Sequence, residues 1–139
     1  KKYLCYRRLS MSTLQVSNLN DGTTTVATTF VTNGSSKAWI NFDGSAVTNS
    51  ADLTGVRDSF NIASIVDNSG GDHTTNFVNN MSNASYSAVV SADDSGSSRA
   101  FAQSKTYVTS SFEINTKRGD NGSAIDKDIV VATVHGDLA

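Results

Sequence analysis

The chain has 139 residues, a length that suits one domain with a modest hydrophobic core and is too short for two independent cores. Ser, Thr and Asn make up about a third of it and only 37% is hydrophobic, so thin layers such as sheets with one face in water are expected. From Met11 onward seven basic residues stand against thirteen acidic ones, which gives this part no electrostatic basis for binding nucleic acid or an anionic membrane.

Residues 1–10 form a basic N-terminal extension, since four of the eleven Lys and Arg lie there. They can be an arm that docks on an acidic neighbour or sequence upstream of a natural start at Met11, and the second interpretation is favoured. The single cysteine, Cys5, cannot form an internal disulfide, so we expect folding in a bacterial cytoplasm. No apolar run has the length of a transmembrane helix, and residues 1–10 lack the apolar run of a signal peptide.

Residues 11–35 are predicted to form an extended β segment. Leu14 and Val16 alternate with polar residues, and residues 23–31 are rich in β-branched side chains that favour a strand. The sequence Asn20-Asp21-Gly22 between them is typical of a turn.

Residues 36–139 are predicted to form one β domain, beginning with a strand around Trp39. Ala38, Ile40 and Phe42 share one face of this strand and are expected in the core, which leaves Trp39 on the opposite face. Asp43-Gly44 favours a turn, and residues 45–55 are small and polar, as in a surface loop.

The run Val56–Val66 is the strongest strand pattern of the chain. Val56, Phe60 and Ile62 share a parity that shifts before Ile65, which predicts a β-bulge near Ala63. A dense turn cluster follows at residues 67–72, so residues 56–78 are predicted to form a hairpin.

The remaining strands follow at intervals of about ten residues. We expect one at Tyr86–Val90, a short one at Phe101, another starting at Tyr107, one at 111–116 with Phe112 and Ile114 inward, and an apolar, central one at 129–134. This pattern, with helical periodicity nearly absent, predicts an all-β fold, an antiparallel β-sandwich or a jelly-roll-like domain.

Six segments carry a resemblance to a known family, and their order and spacing make it specific: Lys37–Gly44, Val56–Ile62, Ile65–Asp72 with Phe77, Asn83–Tyr86, Ser111–Phe112 and Asp126–Gly136. In these segments the chain resembles a domain of tail-fibre and other virion structural proteins of tailed bacteriophages, especially marine cyanophages. The resemblance implies a non-enzymatic structural protein of the virion surface, a fibre tip or knob, whose N-terminal β segment assembles as a homotrimer and anchors it to other virion proteins. It also implies possible adhesion to host surface glycans.

The sequence departs from the family pattern at three places. Residues 45–55 are longer than the usual link, His73 stands where Tyr is common, and Ser82 stands where Pro is common. Within the resemblance, Leu14, Val16, Leu19 and Trp39 are the expected assembly residues, with Trp39 at a strand or subunit interface.

The sequence contains no motif for nucleotide or zinc binding: it has no phosphate loop, no paired Cys-x-x-Cys and no His-Glu-x-x-His. His73 and His135 lack neighbours that would mark a triad or a metal site and are expected at a surface or interface. The run Asp67–Asp72 lacks the spacing of a calcium loop, and turn chemistry explains it better. Asp126 and Asp128 are interpreted as solvated charge. We therefore predict no catalytic residue, no cofactor and no metal.

Two alternatives remain beside host attachment. The protein can be a capsid decoration protein without a receptor role, or a stand-alone carbohydrate-binding module, for which Trp39, Tyr86 and Tyr107 are the available aromatics. A small hydrolase ranks last, because no pair of carboxylates is singled out. A receptor binder would place its specificity in loops 45–55, 93–98 and 117–123, where Asn49, Arg99 and Arg118 are the candidate contacts.

Overall fold

The computed structural model describes residues 15–93 and 99–139. The protein is mostly β, with ten strands and one short helix in this part of the chain. The elements run in this order: β1 Asn18–Asn20, β2 Thr25–Ala27, α1 Thr28–Gly34, β3 Ala38–Phe42, β4 Val56–Phe60, β5 Ile62–Ser69, β6 Asp72–Phe77, β7 Ser87–Ala92, β8 Ala100–Val108, β9 Ser111–Arg118 and β10 Val130–His135.

Two four-stranded antiparallel sheets share one hydrophobic core. The first sheet has the order β4-β3-β10-β7 and the second the order β5-β6-β9-β8. The all-β, antiparallel fold class predicted from the alternating pattern is thereby confirmed. The central position predicted for the last strand is confirmed too, because β10 lies between β3 and β7.

The core forms where the inward residues of the two sheets meet. Ala38, Ile40 and Phe42 of β3 are 0–1% exposed, as predicted, and Phe112 and Ile114 of β9 are fully buried opposite them. The complete core set is Ala38, Ile40, Phe42, Val47, Ile62, Ile65, Phe77, Met81, Tyr86, Phe112, Ile114, Val130, Ala132 and Val134.

The chain crosses from the first sheet to the second at Asn61, which has a positive φ of 58°. The predicted hairpin over 56–78 is therefore wrong in its first part: β4 pairs with β3, and only β5 and β6 form the hairpin. Phe60 shares the parity of Ile62, but Phe60 is 53% exposed whereas Ile62 is 6% exposed in the core. The bulge predicted near Ala63 is confirmed by a register shift between Ile62 and Ser64.

The N-terminal segment differs from the predicted continuous β segment. Residues 15–35 contain a small hairpin, β1 with β2, whose turn lies at the predicted residues 20–22, and then the helix α1. The helix tolerates its β-branched threonines because the Thr32 hydroxyl donates a hydrogen bond to the carbonyl of Thr28 at 3.1 Å. Leu14 and residues 1–10 lie outside the described residues.

One further strand prediction is corrected. Phe101 and Tyr107 belong to a single strand, β8, with an irregular register between Lys105 and Val108 where Thr106 has a φ of 50°. Within the described ranges, no helix has the length and apolar character needed to cross a membrane.

Candidate functional site

An apolar row crosses the outer face of the first sheet. Because Ala38 and Ile40 point into the core, Trp39 points outward, and it pairs with Phe60 on β4 and with Thr133 on β10. Thr133 pairs in turn with Val89 on β7. We call these four residues, Phe60, Trp39, Thr133 and Val89, the Trp39 row.

The Trp39 row lies open to solvent on the single chain. Phe60 is 53% exposed and Val89 66%, while Trp39 is half-buried among its neighbours, and Val131 adds an exposed side chain in the next register position. Cross-strand neighbours on one face lie close enough to form a continuous surface. Contiguous apolar patches on a soluble protein mark sites of interaction, so this row is the best candidate surface for a partner.

The apolar surface continues beyond β4 towards the helix. A groove of about 380 Å³ is lined by the C-terminal part of α1 together with Phe60 and Leu138. The Lys37 ammonium is held at this point by the carbonyl oxygens of Thr32 and Ser35. The groove connects the N-terminal segment with one end of the Trp39 row.

The N-terminal segment exposes the apolar residues that sequence reasoning assigned to assembly. Val16 is 39% and Leu19 is 47% exposed, and Leu19 pairs with the similarly exposed Val26 across the small hairpin. Phe30 on α1 is 75% exposed. None of residues 15–35 is buried, so this segment contributes no side chain to the core of its own chain.

Two of the three loops expected to carry specificity, and residues 93 and 99 at the ends of the third, lie at one end of the two sheets. Phe42 pairs with Val130 and Val56 where the first sheet ends, and the β5–β6 turn and the Arg118–Ala100 pair end the second sheet on the same side. We call this the loop end. It contains loops 43–55 and 119–129 and residues 93 and 99 beside the undescribed 94–98.

At the loop end the structure brings two of the three candidate contacts together. The amide of Gly119 donates to the carbonyl of Arg99 at 2.6 Å, which places Arg99 beside the loop that follows Arg118. The Arg118 side chain lies 3.6 Å from the Asp120 carboxylate. Exposed Asn49 belongs to a separate loop, which is held along the edge of β5 by the bond from the Asp67 amide to the Thr48 carbonyl.

The three aromatic residues considered for sugar stacking do not share one exposed face. Tyr86 is 8% exposed, and its hydroxyl donates to the carbonyl oxygens of Ser111 and Val108 at 2.7 and 3.0 Å. Tyr107 packs against Tyr86 with a ring separation of 5.0 Å. Of the three aromatics considered for stacking, only Trp39 faces outward, and Phe60 is its aromatic neighbour.

His73 is fully buried, so the expectation of a surface or interface position is wrong. It alternates inward on β6 and lies against Phe42 with a ring separation of 5.2 Å. Its Nε2 is 3.3 Å from the Gly44 carbonyl oxygen and 3.8 Å from an Asp126 carboxylate oxygen. Asp126 is also held by the Gly71 amide at 2.6 Å, and it is therefore not simple solvated charge.

The side chains of Asp67, His73 and Asp126 lie close together, and the sequence could have suggested the proximity of the first two. Asp67 and His73 occupy paired positions of the β5–β6 hairpin, and the register follows from the turn between them. Asp126 comes from a loop that only the tertiary fold brings near, so its proximity could not be predicted from sequence spacing.

A comparison of the chain with protein-family models, curated proteins and solved structures finds no match.

Proposed function

We propose that this chain is a non-enzymatic structural protein of the surface of a tailed-bacteriophage virion, acting through assembly and binding. The single observation that carries the proposal is the Trp39 row, a largely apolar strip that crosses all four strands of one sheet, with exposed ends and a half-buried centre on the isolated chain. The assignment to a tailed-bacteriophage virion rests on the sequence resemblance to fibre and knob proteins.

A self-associated state would remove this surface from water. Burying a large apolar side chain contributes about 1.5–3 kcal/mol, and the aromatic side chains of Trp39 and Phe60 offer the largest surfaces of the row. The row ends on the edge strands β4 and β7. A neighbouring subunit that covers the row would also protect these edges.

The assembly proposed is a homotrimer with a jelly-roll-like knob. The two four-stranded antiparallel sheets suit such a knob, and the exposed apolar residues of the N-terminal segment suit a stalk that packs against its copies or against another virion protein. In this arrangement the N-terminal segment anchors the protein and the loop end carries any contact with a host.

Light scattering on the full chain tests the assembly. A trimer has three times the 14.7 kDa mass of the chain, and Trp39→Ala is expected to shift the mass towards the monomer while circular dichroism retains the β spectrum. Phe101→Ala is the matched control, because Phe101 is an exposed aromatic on the second sheet. A wild-type protein that stays strictly monomeric at high micromolar concentration contradicts the trimer.

A receptor role and a decoration role differ at the loop end. Arg99 and the loop after Arg118 lie together there, which makes them suited to one ligand contact. If the protein attaches to host glycans, Arg99→Ala and Arg118→Ala will reduce binding to host cells without changing the mass in solution. Unchanged cell binding in both variants favours decoration alone.

A carbohydrate-binding module is the second candidate, favoured by the outward Trp39 beside Phe60. It requires a monomer whose glycan affinity falls in Trp39→Ala. A trimer that loses assembly, and no glycan affinity, in the same variant favours the virion protein.

A further inference from the structure

We infer that the loop end contains a binding site for a divalent transition-metal cation, formed by Asp67, His73 and Asp126. One donor atom from each of these residues lies within 4.8 Å of the donor atoms of the other two. The donors come from three places in the fold: the end of β5, the start of β6 and the loop before β10.

Buried atoms without a partner point to a ligand at this site. His73 is 0% exposed, and its Nδ1 has no hydrogen-bond partner among the described residues; the same holds for the buried Oδ1 of Asp67. A buried polar atom without a partner costs on the order of 1–3 kcal/mol. A bound cation would satisfy both of these atoms at once.

The environment of the His73 ring suits a metal ligand. When Nε2 carries the proton it can donate to the Gly44 carbonyl 3.3 Å away, which leaves the Nδ1 lone pair free. Metal-bound histidines commonly donate their second ring N–H to a backbone carbonyl in this way. In the other tautomer the Nε2 lone pair faces two oxygen acceptors, Gly44 O and Asp126 Oδ1, an arrangement that a cation would stabilise.

The donor set selects the class of cation. One imidazole with two carboxylates suits zinc or manganese, whereas calcium prefers a larger shell made of oxygens alone. In a tetrahedral zinc site the ligand atoms stand about 3.3 Å apart, so these donors would move inward by about 1 Å or less. Rotation of the partly exposed Asp126 side chain can supply part of that movement.

The surroundings keep the donors in place. Asp126 is oriented by the Gly71 amide, and Gly44 allows the loop after β3 to lie directly on the imidazole. A Cβ at position 44 would stand 3.3 Å from His73 Cε1 and 3.1 Å from the Lys127 carbonyl oxygen. A cation here would join the β5–β6 turn to the loop before β10, and would thereby stiffen the loop end.

Zinc titration of the full chain tests the site. The experiment uses a Cys5→Ser background, so that the only thiol does not contribute, and protein stripped with a chelator before ZnCl2 or MnCl2 is added. Calorimetry gives the affinity, and long-range ¹H–¹⁵N spectra report on the ring nitrogens of the two histidines, with His135 as the internal control.

Zinc is expected to shift a ring nitrogen of His73 and to leave His135 unchanged. At a hundredfold excess over Kd we expect the melting temperature to rise by roughly 5–10 °C. Asp67→Asn and Asp126→Asn should each lose tenfold or more in affinity. Asp128→Asn, the same change on an exposed residue of the same loop, should bind as the parent does.

Three results would overturn the inference. They are an unshifted His73 ring at millimolar zinc and manganese, equal affinity in the parent, Asp67→Asn and Asp126→Asn, or binding of calcium in preference to both transition metals. If the asparagine variants fail to fold, the His73 and His135 spectra of the parent still decide the question.

Discussion

The Tyr86 hydroxyl donates a hydrogen bond to the main-chain carbonyl of Ser111 at 2.7 Å, with the Val108 carbonyl 3.0 Å away. This bond joins the residue before β7 of the first sheet to the first residue of β9 in the second, at the end opposite the loop end. Tyr86 also packs edge-on against Phe77 with a ring separation of 5.7 Å. A side chain that belongs to the core thus also supplies a polar connection between the two sheets.

Replacing Tyr86 by Phe keeps the ring and removes this connection. We expect the free energy of unfolding to fall by about 1–2 kcal/mol at pH 7, since one hydrogen bond is lost and a carbonyl loses its donor. Urea denaturation of both proteins measures the difference. Equal midpoints and slopes would show that water replaces the hydroxyl without cost.

The same residue makes stability sensitive to alkaline pH. Burial, with the neighbouring Tyr107, raises the pKa of Tyr86 from its ordinary 10.0 to about 12. The folded state therefore keeps the phenol proton where the unfolded state releases it, so this contribution is present below about pH 10 and is lost as the pH rises through 12. The hydrogen bonds that the Lys105 ammonium donates to the carboxylates of Asp72 and Glu113 also raise the pKa of Lys105, and that effect is common to wild type and variant.

Denaturation at pH 9 to 12 should therefore show a steeper loss of stability in wild type than in Tyr86→Phe. An ultraviolet titration of the folded wild type should find one tyrosine that ionises near pH 12 and that is missing from the variant. Parallel stability curves for the two proteins would contradict the assignment.

The alternating pattern predicted the parts of the fold where one strand stays in one sheet. Ala38, Ile40 and Phe42 could be assigned to the core because β3 runs straight, and the parity shift after Ile62 located the bulge. The prediction of one hairpin over 56–78 failed in its first part because the chain leaves the first sheet after Phe60, and the sequence pattern contains no mark of that crossing other than Asn61.

The candidate site was less predictable than the fold. Period-two alternation indicated that Trp39 faces away from the core, but the partners in its row depend on which strands become neighbours. His73 follows a Gly-Gly turn, which favoured the surface; its burial results from a loop, at Gly44, that closes over it. Contacts between segments distant in sequence decide both cases.

Asn61 should be sensitive to substitution because it combines backbone strain with four side-chain hydrogen bonds. Its φ is 58°, its amide group donates to the carbonyls of Lys37 and Asn79, and its Oδ1 accepts from the backbone and side-chain amides of Asn79 at 2.7 and 3.1 Å. We expect Asn61→Ala to lower the free energy of unfolding by about 2–4 kcal/mol, from lost hydrogen bonds and a positive φ that alanine resists.

Glycine at position 61 separates the two causes. Asn61→Gly also loses the side-chain bonds but adopts the positive φ readily, so it should be about 1–2 kcal/mol more stable than Asn61→Ala. Thermal and urea denaturation of the two variants give the comparison. An alanine variant as stable as the glycine variant would rule out a contribution from backbone strain.

Gly71 and Gly122 form a matched pair for the cost of a side chain at the loop end. Both have a φ of +71°, so alanine meets the same backbone strain at each. A Cβ at position 71 would lie 2.4 Å from the Thr116 carbonyl oxygen and 2.6 Å from the Ile125 amide nitrogen, whereas a Cβ at 122 would have no atom within 4 Å.

Gly122→Ala should therefore cost about 1–2 kcal/mol of stability, the strain alone. Gly71→Ala should cost about 2–5 kcal/mol, because the loop before β10 must move away from the β5–β6 turn, and such overpacking adds about 1–3 kcal/mol to the strain. That movement would also separate Gly71 from the Asp126 carboxylate, which its amide holds at 2.6 Å. Equal unfolding midpoints for the two variants would mean that the loop yields freely and that the loop end is not a rigid part of the fold.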